Sequence, residues 1–270
     1  MPAPTSSVSP VSVSGYADPL AQAVEALIPV RRLLVLCGAG CSADAGIPTF
    51  RCAGGLWQTH KPEDLATPEA FARDPATVWA WYRERRRVIA AARPHAGQRS
   101  LALLQRHFPA AEVLVATTNE DDLLERAGVT GVIHLHGSIT ATICAARCGW
   151  SGSEDPDDRF SMAGCPACGG ATRPGSVWFG EPLPGGLLDR LHAFDPDGCL
   201  VIGSSNQVQP VAGIPCELAL HRVPVVEVNP QATPLSSLAI HLPGQAQEIL
   251  PPLVDLLTSA TVRDQRRRLT

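Results

Sequence analysis

The chain has 270 residues, a hydrophobic fraction of 45% and a formal net charge of −4. That length accommodates one large domain, or one domain carrying a small inserted one, and the apolar content excludes global disorder. A nearly neutral chain gives no electrostatic case for a direct nucleic-acid partner, and no apolar run reaches the roughly 18 residues of a membrane span.

Residues 1–18 are rich in Pro, Ser and Val and lack the basic start and continuous apolar stretch of a signal peptide. They read as a disordered tail, and the protein as cytoplasmic. From 18 to 28, Leu20, Ala23, Val24 and Leu27 recur at helical spacing until Pro29. Residues 33–36 form an apolar run closed by glycines, the pattern of a buried parallel strand. Pro62 and Pro68 mark helix starts, 78–92 is strongly helical with an arginine cluster at 83–87, and 95–107 reads as another helix. Strands are predicted at 113–116 and 132–135. Residues 144–174 carry four cysteines, many Gly and Pro, and little apolar periodicity, so something other than a core must hold them. Strands at 199–202 and 225–228 flank a helix over 212–221, and a last helix covers 249–257. Strands alternating with helices imply an α/β fold with a Rossmann-like, doubly wound parallel sheet.

Nine cysteines, an odd number without an export signal, argue against a disulfide framework. Cys144 and Cys148 are spaced C-x3-C; after sixteen intervening residues Cys165 and Cys168 are spaced C-x2-C. Four thiolates on two knuckles suit a tetrahedral structural zinc with no open position for catalysis. Cys37, Cys41, Cys52, Cys199 and Cys216 read as small buried residues, with Cys41 the one expected to be reactive.

Gly38-Ala39-Gly40-Cys41-Ser42 follows the first strand directly. Glycines there allow a tight turn and let backbone N–H groups approach a pyrophosphate. The run continues through Ala43 to Gly46-Ile47-Pro48-Thr49-Phe50-Arg51, which a generic phosphate loop does not require. GAGCSADAGIPTFR is similar to the NAD-binding signature of the sirtuins, the NAD-dependent protein deacylases. Four further blocks follow in the family's order. Thr117-Thr118-Asn119-Glu120-Asp121 resembles TQNxD, and His134-Leu135-His136-Gly137 resembles the HG motif. Gly203-Ser204-Ser205 with Val208 and Pro210 resembles GTSxxVxP. Asn229 with Thr233 resembles the late Asn-x-x-x-Thr element. The resemblance spans roughly residues 20–257.

It implies a set of roles. Gly38, Ala39, Gly40 and Ala43 would hold the NAD pyrophosphate. Phe50, Arg51 and Trp57 would border the nicotinamide side. Thr118, Asn119 and Asp121 would sit in the carboxamide pocket, and Gly203, Ser204, Ser205, Asn229 and Ala246 would line the phosphate and adenosine groove. In the family chemistry the acyl-amide oxygen displaces nicotinamide, and a general base then deprotonates a ribose hydroxyl that attacks the imidate. His136 is the implied base, suited by an unperturbed pKa near 6.5, with Asn119 orienting the ribose. Val177-Trp178-Phe179-Gly180-Glu181 resembles the segment that pairs with an acylated-lysine peptide, so Val177, Phe179, Gly180 and Glu181 are implied substrate contacts. Tyr82 and Arg85, at i and i+3 on one helix, resemble the Tyr-x-x-Arg pair with which the desuccinylase and demalonylase branch binds an acyl carboxylate.

The chain departs from the pattern at Thr118, Glu120, Leu124 and Ser204, and Thr118 and Glu120 border the expected nicotinamide site. Three functions follow: a deacylase preferring succinyl or malonyl groups, an ADP-ribosyltransferase or NAD hydrolase, and a non-catalytic NAD sensor. The expected organisation is an NAD-binding domain from 19–55, 96–141 and 175–258. A helical insert at 56–95, a zinc module at 142–174 and a polar tail at 259–270 complete it.

Overall fold

The computed structural model describes residues 18–50, 61–108, 112–153 and 164–259. Arg51, Cys52 and Trp57 lie outside these ranges. In chain order the first half runs α1 (Pro19–Leu27), β1 (Arg32–Cys37), α2 (Gly40–Ala43), α3 (Pro62–Leu65), α4 (Pro68–Arg73), α5 (Pro75–Ala91), α6 (Ala96–His107), β2 (Glu112–Thr117), α7 (Leu123–Arg126) and β3 (Ile133–His134). The second half runs β4 (Gly137–Cys144), β5 (Ser151–Ser153), β6 (Thr172–Ser176), α8 (Leu187–Phe194), β7 (Gly198–Ile202), α9 (Gly213–Leu220), β8 (Val225–Val228), β9 (Ile240–Leu242) and α10 (Ala246–Thr258).

Six parallel strands make one sheet in the order β3-β2-β1-β7-β8-β9. The chain builds outward from β1 in one direction and resumes at β7 on the other side. The β1/β7 boundary is therefore the switch point, and a crevice is expected outside the strands' carboxyl ends there. Both faces are covered. Leu33, Val35 and Cys37 pack with Leu27, Leu101, Leu104 and Leu253 on one side. Leu34 and Leu36 pack with Leu191, Val201 and Ile214 on the other. Alternate side chains of a strand point to opposite faces, which is why a doubly covered strand reads as an unbroken apolar run.

A second, antiparallel sheet in the order β5-β4-β6 is built from β4, which mostly precedes the segment read as lacking periodicity, and from β5 and β6. β4 alternates Ile139, Ala141 and Ile143 with polar residues, a strand signal that the expected elements do not include, whereas β5 (Ser-Gly-Ser) and β6 (Thr-Arg-Pro-Gly-Ser) carry none. The sixth strand, β9, was also missed, being three residues with a central His241. The strand expected at 132–135 pairs only over 133–134, and the last helix starts at Ala246 rather than 249. Among the described residues no helix is long and apolar enough to cross a membrane.

Helix α5 joins the two sheets' surroundings. Val78, Trp79, Tyr82 and Ile89 pack with Phe71, Ile139 and Trp178 in a separate core. Arg86, expected within a solvated or ligand-reading arginine cluster, is buried instead. Its Nε donates to the Ile139 carbonyl at 2.7 Å, and its Nη2 to the Ala141 carbonyl at 2.9 Å and Thr142 Oγ1 at 3.2 Å. One guanidinium thus satisfies acceptors along β4 where the strand has a register shift between Ser138 and Thr142. Arg86→Met strands those buried carbonyls, at a cost of about 3 kcal/mol. The expected result is a melting temperature lower by about 6 °C or more by circular dichroism; an unchanged melt excludes this role.

Candidate active site and metal site

A cleft of about 1170 Å³ opens at the switch point. Its floor is the meeting of two glycine loops. The Gly38 N–H donates to the Ile202 carbonyl and the Gly40 N–H to the Gly203 carbonyl, both at 2.8 Å. A Cβ on Gly38 would lie 2.7 Å from Ser204 Cα, and one on Gly40 2.7 Å from Gly203 Cα. These glycines are required for the loop-to-loop approach, and their N–H groups are spent on it. Gly38, Ala39, Gly40, Ala43, Phe50, Gly203, Ser204, Ser205, Asn229 and Ala246 all line the cleft. Asn229 is held by donating its Nδ2 to the Ser204 carbonyl at 2.8 Å.

The loop after β2 supplies the next wall. Thr118, Asn119 and Glu120 line the cleft. Asn119 Nδ2 donates to Ser42 Oγ at 3.0 Å, and its backbone N–H to Thr117 Oγ1 at 2.9 Å. Ser42, 1% exposed, also accepts from Gln98 Nε2 at 3.3 Å. It was not singled out in the sequence; its place within the glycine run, on the turn facing Asn119, is the signal that could have found it. Asp121 does not line the cleft. Its carboxylate accepts the Leu123 N–H at 3.1 Å, and burial raises its pKa despite that bond. Cys41 is fully buried at the base of this wall, and the neighbouring Cys37 and burial push its thiol well up, so it is not a reactive thiolate.

His134, left without a role by the sequence, braces the same loop from behind. Its Nδ1 lies 3.0 Å from the Asn119 carbonyl and its Nε2 2.7 Å from Glu125 Oε1. Burial alone lowers its pKa, but Glu125 and the carbonyl outweigh it, and the net shift is upward. The stability this supplies is full below about 6.5 and is lost as pH rises through the higher native value. The pair is partly exposed, so the contribution is about 1 kcal/mol. The melting temperature of the wild type is expected to fall relative to His134→Gln as pH rises from 6 upward. A constant difference between them would exclude the linkage.

His136 lines the cleft at the end of β3, and its carbonyl accepts the Val177 N–H at 2.8 Å. The next residue must be glycine. Gly137 has φ +74°, and a Cβ there would lie 2.1 Å from the Gly175 carbonyl oxygen. The turn lets β6 close against β4 and sets His136 at the seam between the two sheets. Val177, Phe179, Gly180 and Glu181 follow on the cleft wall. The Glu181 carboxylate is not free for a ligand. It takes Arg173 Nη1 at 2.6 Å, Arg147 Nη2 at 3.1 Å and the Trp178 N–H at 2.9 Å. Burial raises its pKa, but these donors win and hold it below the usual carboxylate range.

Tyr82 and Arg85 reach the opposite side of the cleft from α5. The Tyr82 hydroxyl accepts Trp178 Nε1 at 2.9 Å, and burial pushes the phenol pKa up. Arg85 Cζ lies 4.8 Å from the Trp81 ring, 5.1 Å from Phe50 and 5.5 Å from Tyr82. Its Nη1 is 2.6 Å from Glu120 Oε2.

The sulfurs of Cys144, Cys148, Cys165 and Cys168 all lie within 4.8 Å of one another, with 3.5 Å and 3.6 Å for two of the pairs. A tetrahedral zinc with Zn–S of about 2.3 Å needs sulfurs about 3.8 Å apart. The four cysteines therefore fit a structural zinc.

A parallel switch-point sheet with a cleft at its carboxyl ends, joined to a four-cysteine module, defines a Rossmann-type nucleotide-binding protein with a structural metal site. The chain belongs to the Sir2 family, whose model matches residues 38–210. It is 45% identical over 242 residues to NAD-dependent protein deacylase 1 of Pseudomonas aeruginosa, covering 86% of this chain and 96% of that protein. It is 42% identical over 225 residues to NAD-dependent protein deacylase 1 of Archaeoglobus fulgidus, covering 82% and 91%. Among solved structures it is similar to a Sir2 homolog–NAD complex, with TM-score 0.80 and 38% identity over 91% of this chain and 94% of that one. It is also similar to Sir2Af2 bound to a myristoylated histone peptide, with TM-score 0.71 and 26% identity over 92% and 98%. The cleft residues fit NAD as the cysteines fit zinc.

Proposed function

We propose that the chain is an NAD-dependent protein-lysine deacylase acting on acylated-lysine proteins or peptides, with His136 as base, Asn119 as orienting group and Tyr82 with Arg85 reading an acidic acyl end. The observation that carries this is one cleft lined by the glycine loops, Asn119, His136 and Arg85 together. NAD, when bound, supplies the ribose carbon that accepts the acyl oxygen as nicotinamide leaves. The protein's part is to position and to move a proton. Ser42 and Thr117 hold Asn119, and the Gly137 turn sets the backbone next to His136, the residue that would take the proton from a ribose hydroxyl. An extended peptide is expected along 177–180, where Phe179 is 42% exposed on the cleft rim.

An acidic acyl group suits Arg85 because a guanidinium stacked among three rings gives a buried carboxylate charge-assisted bonds. A second reading, a preference for neutral acyl chains, is favoured by the Arg85–Glu120 pair, which already balances the charge. The Sir2 neighbour with a myristoylated peptide carries such a chain. The test is incubation with NAD and acetyl-, succinyl-, malonyl- and myristoyl-lysine peptides, followed by mass spectrometry. Faster loss of succinyl and malonyl, with O-acyl-ADP-ribose formed, supports the first reading, and faster loss of neutral groups the second. Nicotinamide release without any peptide would point to an NAD hydrolase, and NAD binding without turnover to a sensor.

A further inference from the structure

We propose that Glu120 is a built-in occupant of the acyl-carboxylate site and sets the enzyme's acyl preference by competing for Arg85. This rests on the reading of Arg85 as the acyl-carboxylate partner. Three observations carry it. Glu120 Oε2 sits 2.6 Å from Arg85 Nη1, with the two side chains 9% and 12% exposed, so the pair is largely shielded from solvent. Glu120 lines the same cleft as His136 and Phe179. The backbone around it is pinned. The Asn119 N–H is taken by Thr117 Oγ1, His134 Nδ1 lies against the Asn119 carbonyl, and the Glu120 carbonyl accepts the Ile139 N–H at 2.9 Å. Arg85 is packed against the Trp81, Phe50 and Tyr82 rings. For an acyl carboxylate to reach Arg85, the Glu120 side chain, rather than its pinned backbone, has to rotate.

The consequence is a charge rule. A guanidinium already neutralised by a protein carboxylate offers little net attraction to a second one, and two carboxylates on one cation repel each other. A succinyl or malonyl group must therefore turn the Glu120 side chain out into the cleft and take its place. An acetyl group, with no carboxylate, leaves the pair intact. Glu120 lowers the preference for acidic acyl groups without abolishing it, and it does so from the segment that also carries Asn119.

The test uses the zinc-loaded 270-residue chain with NAD and matched succinyl- and acetyl-lysine peptides. The ratio of kcat/KM values, and peptide affinity by titration calorimetry, are measured for wild type, Glu120→Gln, Glu120→Asp, Arg85→Met and the double variant Arg85→Met/Glu120→Gln. The expected result is a succinyl-to-acetyl ratio at least tenfold higher in Glu120→Gln. A smaller rise is expected in Glu120→Asp, whose carboxylate keeps its charge on a shorter arm. The rise in Glu120→Gln disappears in the double variant Arg85→Met/Glu120→Gln. A ratio unchanged or lowered in both Glu120 variants, with cooperative melts retained, overturns the proposal. If Arg85→Met leaves the wild-type ratio untouched, the reading of Arg85 itself fails; if Arg85→Met lowers it and the Glu120 variants do not raise it, only the competition fails.

Discussion

His136→Ala is expected to lower deacylation by about two to four orders of magnitude, the range for loss of a positioned general base. The effect is confined to one part of the reaction. In the proposed function the base would act on a ribose hydroxyl after nicotinamide has departed, so exchange of labelled nicotinamide into NAD should survive in the variant while product formation does not. Peptide and NAD affinities should change little, because the loops that line the binding cleft are built around Gly38, Gly40, Gly203 and Asn119 rather than the imidazole. Activity and exchange are measured side by side. Parallel loss of both would mean that His136 holds the fold of the cleft and is not the base. The Gly137 turn makes that distinction necessary, since His136 sits at the junction of the two sheets and its carbonyl anchors Val177.

Removal of zinc is expected to have the second large effect. Structural zinc sites of this kind contribute about 10 kcal/mol or more at neutral pH. Here the metal would close a unit with little apolar content, and among the described residues of that unit Ile143, Cys144 and Cys165 supply few core groups. Cys165→Ser, or exhaustive chelation, should release the metal in a colorimetric zinc assay. The β4–β6 sheet should melt while the parallel sheet, with its own two cores, stays folded. Deacylation should fall with it, because Arg147 and Arg173 of the module hold Glu181 and, through it, the Trp178 backbone of the cleft wall. Retained activity in a metal-free protein would exclude this coupling. Loss of activity without loss of the antiparallel sheet would assign the zinc a role beyond folding.

The parallel strands were legible because β1, β2 and β7 have apolar runs buried on both faces, and glycines close β1 and β7. The helix over 78–92 was legible from its periodicity, and the four cysteines from their spacing. The direction of each arginine on that helix was not. Arg85 and Arg86 are adjacent and chemically identical in sequence. One turns to the cleft and Glu120, and the other turns to the β4 carbonyls, because neighbouring helical positions differ by about 100° and only the packing decides what each faces. Asp121 and Glu181 were visible as acidic residues within matching motifs. That the Leu123 N–H bonds the Asp121 carboxylate and the Arg173 guanidinium the Glu181 carboxylate depends on turns whose geometry no pattern encodes.

The residue order by itself determined the family, the order of the binding segments and the metal ligands, since these depend on residue types at fixed spacing along one chain. The tertiary structure alone decided which of those groups are available. Hydrogen-bond capacity is finite, and it takes the folded chain to show that Gly38 and Gly40 spend their N–H groups on the Ile202 and Gly203 carbonyls. Only there does Ser42 brace Asn119, and only there does Glu120, from a segment 35 residues downstream, stand against the arginine that would read the substrate.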